Sequence, residues 1–136
     1  MICVMKDESV RDFDEIVKDF VRNSLGCDCS EDVFRHIENE RNTEAGGFML
    51  KNKINVGGRL LVYVVDADAN ILREIPALVS MGKKERDSRG FNRFRLVLVS
   101  DDIKMRKRGF EAFKAIGVPD ERIHLHIIGK KEAMGL

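Results

Sequence analysis

Near the start of the chain, apolar residues recur at steps of three and four: Val10, Phe13, Ile16, Val17, Phe20, Val21 and Leu25. That spacing lays one apolar stripe along a helix of 3.6 residues per turn and predicts an amphipathic helix over 10–25, with Gly26 as its stop. Ser30 is a good N-cap for a second helix. Glu31 and Asp32 would sit in its first turn, where the helix dipole favours negative charge, with Val33, Phe34 and Ile37 facing inward. This helix is expected to end before Gly46-Gly47.

Beyond those glycines the pattern changes. Residues 48–56 read as a moderately apolar strand, Gly57-Gly58 as a two-residue hairpin turn, and residues 59–65 as an unbroken apolar run, the mark of a strand covered on both faces. A helical stretch over 70–81 carries Ile71, Leu72, Ile75, Leu78 and Val79 on one side, with Pro76 inside it. A basic loop over 83–92 leads to a second buried strand, 94–99. Ser100, Asp101 and Asp102 then cap a helix that Gly117 stops, and 123–128 is the last strand.

This order predicts an α/β protein: an antiparallel hairpin followed by two parallel β-α-β crossovers, in a mixed sheet of about four strands. Sequential strand order would put both crossover helices on one sheet face and leave the other to the two N-terminal helices, giving a three-layer α/β/α sandwich. The 136 residues fit a single domain, with an acidic helical layer (1–46) and a basic body (47–136).

Composition narrows the class further. With 43% hydrophobic and 35% charged residues and two prolines, the chain has the composition of a folded protein rather than a disordered one. No apolar run approaches the ~18 residues of a membrane span, and no basic-then-apolar export signal opens the sequence, so the expected compartment is the cytoplasm and no membrane partner is expected. Residues 1–50 hold 12 acids and 6 bases, whereas 51–136 hold 18 bases and 11 acids. Such a division suits either internal docking or a face for an anionic partner.

Three groups of residues are candidates for chemistry. Cys27 and Cys29 flank Asp28 beside an expected helix N-terminus, where free N–H groups stabilise a thiolate. Cys29 would be the more activated thiol and Cys27 its partner. The pair suits metal binding or thiol redox chemistry, and three cysteines in total make a poor disulfide framework. His124 and His126, two apart on a strand, project from one face; with Cys27 and Cys29 they would complete a tetrahedral set for zinc or iron, and His36 is an alternative donor. The plain alternatives are cysteines that fill a helix junction and a polar outer face on an edge strand.

The second group lies beyond the carboxyl ends of the parallel strands, where α/β sheets bind ligands: Asp66 and Asp68, Ser100 to Asp102, then Lys130 and Lys131. Carboxylates with a lysine suit Mg²⁺ and phosphate, although aspartates there are also ordinary helix caps. The third is the basic stretch with Lys83, Lys84, Arg86, Arg89, Phe91 and Arg93, followed by Lys104, Arg106, Lys107 and Arg108. Its bases suit phosphates, and an exposed Phe91 would stack on an unpaired base, so the alternative to the favoured Cys27/Cys29 metal or redox site is a non-enzymatic module that binds single-stranded RNA or DNA, or an acidic protein. Glycine-rich dinucleotide and P-loop signatures, a nucleophile elbow and His-Glu-x-x-His are absent from the sequence. The open edges of a small sheet also leave room for pairing with a second copy or another protein.

Overall fold

The computed structural model describes residues 15–26, 31–117 and 121–136. Residues 15–19 are α-helical and continue into a π-turn, Phe20–Ser24, closed by the Leu25 N–H donating to the Phe20 carbonyl at 3.1 Å. The remainder of the expected first helix, residues 10–14, and the junction 27–30 lie outside the described residues.

The second helix is not formed. Glu31–Arg35 makes one short 3₁₀ turn, and Ile37–Ala45 is a strand, β1. From Glu38 to Glu44 there is no apolar residue, so a helix here would have no face to bury. Extended, the same residues pair along their whole length with β2 (Phe48–Val56), from Ile37 opposite Val56 to Ala45 opposite Phe48. Gly46 and Gly47, at φ 57° and 87°, make the intervening turn, a left-handed geometry that L-residues avoid.

The sheet therefore has five strands rather than four, in the order β1-β2-β3-β4-β5. β3 (Leu60–Asp66) lies antiparallel to β2, whereas β3, β4 (Arg93–Val99) and β5 (Ile123–Ile128) are parallel. The crossovers are α1 (Ala69–Arg89) and α2 (Ile103–Ala115). Both begin on an aspartate cap: Asp68 accepts the Ile71 N–H and Asp102 the Lys104 N–H, each at 2.8 Å. α1 runs to Arg89, so residues 83–89, expected as a loop, are its last two turns.

Residues 60–65 are all buried because the sheet is covered on both sides. Leu61, Tyr63 and Val65 join Phe94, Leu96 and Leu98 beneath Ile75, Leu78 and Val79 of α1. Leu60, Val62 and Val64 join Val97, Val99 and Ile128 on the opposite face, beneath Val17, Phe20, Val21 and Leu25, the 3₁₀ residues Val33 and Phe34, and the C-terminal Ala133 and Leu136. Among the described residues this second cover is the helical stretch 15–24, one 3₁₀ turn and the C-terminal residues; the second of the two helices expected there is absent. α1 comes close to the sheet at Gly82, where a Cβ would stand 2.1 Å from the Phe94 ring.

Candidate nucleic-acid interface

Of the expected thiol–imidazole set, Cys27 and Cys29 lie outside the described residues. His124 and His126 do share a sheet face, opposite Arg95 and Val97 on β4. His124 is exposed, with Nε2 2.7 Å from the Glu121 carbonyl. His126 is partly buried, its Nε2 has no hydrogen-bond partner, and burial, then the nearby Arg95 and His124, push its pKa down to about 4. A neutral imidazole is the ligating form, but a guanidinium beside it repels a metal cation. Among the described residues no group of three or more His, Cys, Asp or Glu side chains is placed to hold a metal ion. His36 is exposed, 3.7 Å from Glu38.

The carboxyl-end residues do converge. Asp66, Ser100, Asp101, Asp102 and Lys130 line a cleft of about 720 Å³ with Lys51, Met134 and Leu136. Most of its polar groups hold the fold. Asp102 caps α2, the Ser100 Oγ accepts the Asp102 N–H at 3.1 Å, Asp101 accepts the Lys130 N–H at 3.0 Å, and Asp66 sits 3.6 Å from Lys51. Asp68 caps α1.

The basic stretch is divided by its helical conformation. Lys83, Lys84 and Arg93 are exposed. Arg86 is buried against Asp87 at 3.0 Å, and Arg89 is held by Glu85 at 2.9 Å. Phe91 is only 7% exposed and belongs to the core under α1, with the Arg89 guanidinium 5.2 Å from its ring centre. The expected stacking role is therefore corrected: Phe91 anchors the chain reversal after α1 and offers no free face.

A different phenylalanine is exposed. In α2 the inward stripe is Met105, Gly109, Ala112, Phe113 and Ile116, at helical spacing, and only Gly109 among the helix's own residues is fully buried. Phe110 falls off that stripe and is 50% exposed, as is Ile103 at 81%. Arg106 and Lys107 stand one turn before Phe110 and Lys114 one turn after it. Among the described residues Lys104, Lys107, Arg108 and Lys114 form no ion pair. The sequence carries the signal, since Phe110 breaks the period its neighbours keep. Compared with protein-family models, with curated proteins and with solved structures, the chain matches none.

Proposed function

We propose that this α/β protein is a binding module for single-stranded nucleic acid, with RNA the favoured ligand, and that the outer face of α2 is its contact surface. The observation that carries the reading is Phe110, a half-exposed aromatic ring set among unpaired bases on one helix. Base–aromatic stacking is indifferent to sequence, and lysines a turn away on each side are spaced to meet flanking phosphates. Lys83 and Lys84 of α1, on the same side of the sheet, extend the positive field.

Binding of a short single-stranded RNA, followed by fluorescence anisotropy over a range of salt, tests this. The affinity should fall with salt, and replacing Lys107, Arg108 and Lys114 by alanine together should flatten the log–log slope by about 2, at roughly 0.7 per lost phosphate contact. Phe110→Ala should weaken binding by about 1–3 kcal/mol without changing that slope. Replacing Arg89 should chiefly lower stability, because Arg89 is engaged with Glu85 and Phe91. Absence of binding at low salt, or a Phe110→Ala variant that binds like the native protein, would overturn the reading.

A further inference from the structure

Arg95 is the most anomalous charge among the described residues. It is 6% exposed, its Nε has no hydrogen-bond partner, and among the described residues no carboxylate pairs with it. Arginine does not shed its proton in a protein, so this is a buried cation without a counter-charge, an arrangement normally selected against unless something else compensates it. Its surroundings add positive charge. Arg93 lies two residues away on the same strand face and bears on Arg95 electrostatically. His124 lies directly opposite Arg95 on β5, and His126, whose buried Nε2 is likewise unpartnered, is the next residue on that face.

We infer that Arg95, Arg93, His124 and His126 form a binding site for a terminal phosphate group, a dianionic phosphate monoester. Two guanidiniums supply the positive charge and, together with the imidazole N–H groups, more donors than a single carboxylate would satisfy, and the guanidinium fork matches adjacent phosphate oxygens. The exposed pair, Arg93 and His124, would be the mouth, with Arg95 and His126 recessed behind it. With Arg95 buried and His126 partly buried behind the exposed Arg93 and His124, a ligand would reach them from the exposed side only, which suits a monoester, with one substituent, better than a backbone diester, with two. This site lies on the sheet face opposite α2 and is independent of the proposed nucleic-acid surface.

The first experiment titrates the full chain with inorganic phosphate while following the imidazole and Arg Nε–H resonances by NMR, with sodium chloride at equal ionic strength as the reference. Saturable shifts at His126, His124 and Arg95, absent in chloride, are expected. Arg95→Met, which removes an uncompensated buried cation and keeps the apolar stem, should fold at least as stably and weaken phosphate binding about tenfold or more. His126→Gln provides a second variant should Arg95→Met fail to fold, and should also weaken binding. A 5′-phosphorylated oligonucleotide that shifts these resonances when its 5′-hydroxyl counterpart does not would identify a strand end as the source; a response to inorganic phosphate alone would identify a small phosphorylated molecule. No saturable shift up to about 50 mM phosphate, or unaltered binding in the folded variants, would overturn the site.

Discussion

Glu85 shows how much one side chain on a helix can organise. It accepts the Tyr63 hydroxyl, binds Arg89 at 2.9 Å and pairs with Lys53 at 2.5 Å, while only 15% of its side chain is exposed. Burial alone would raise its carboxyl, but the hydrogen bonds from Lys53, Tyr63 and Arg89 outweigh that and hold it below the usual range; burial and this same contact raise the Tyr63 hydroxyl. Glu85→Ala leaves two cations and a phenol without their acceptor and should cost about 2–4 kcal/mol, with a smaller loss for Glu85→Gln, both read from urea midpoints. His126 gives stability a pH dependence of definite sign. Its pKa falls from 6.5 to about 4 on folding, so between those values the unfolded chain binds a proton the native protein refuses. Stability should therefore decline as pH drops through that window, with Glu85 adding to the loss at the acid end. Urea midpoints measured from about pH 7 to pH 5 should fall in the native protein and less steeply in His126→Gln; a flat native profile would contradict this. None of these pairings is legible in the sequence, where Glu85 is one acid in a basic run. Its partners arrive from β2, β3 and the next turn of α1.

At the level of elements, the apolar runs of β3 and β4 and the caps Asp68 and Asp102 announced themselves, because burial on both faces and capping are local demands. Residues 37–45 did not. An edge strand borrows its hydrogen bonds from a neighbour and needs no apolar pattern of its own, so a polar stretch after a good N-cap reads as a helix. The continuation of α1 to Arg89 was hidden similarly, since its last turns are held by Glu85, Arg86 and the proximity of Gly82 to Phe94. Gly82→Ala would gain about 1 kcal/mol of helix propensity. Against that, a Cβ 2.1 Å from an aromatic ring forces α1 and the sheet apart, an overpacking cost of about 1–3 kcal/mol. A net loss on the order of 1 kcal/mol is expected from thermal or urea unfolding, and a stabilised variant would show that the helix shifts freely.

On the scale of the whole molecule, the division of charge along the chain is visible in the composition, but its use is not. Lys18 and Arg22 of the acidic part bind Glu31 within that part, and Lys51 binds Asp66 within the basic one. Among the described residues, no carboxylate of the acidic segment pairs with the α2 bases. The candidate surfaces are half legible: the basic bias, the two histidines and the off-stripe position of Phe110 are marked in the sequence, whereas the buried Arg95 depends on how the strands turn their faces. No helix among the described residues is long and apolar enough to cross a membrane. The two borders of the sheet are unlike each other. β1 carries Glu38, Glu40, Arg41 and Glu44, whereas β5, Ile123–Ile128, carries no acid or strong base. Should a second copy add through β5, the charged β1 margins would face outward and disfavour further addition, so a closed pair and not a filament is the expected end point.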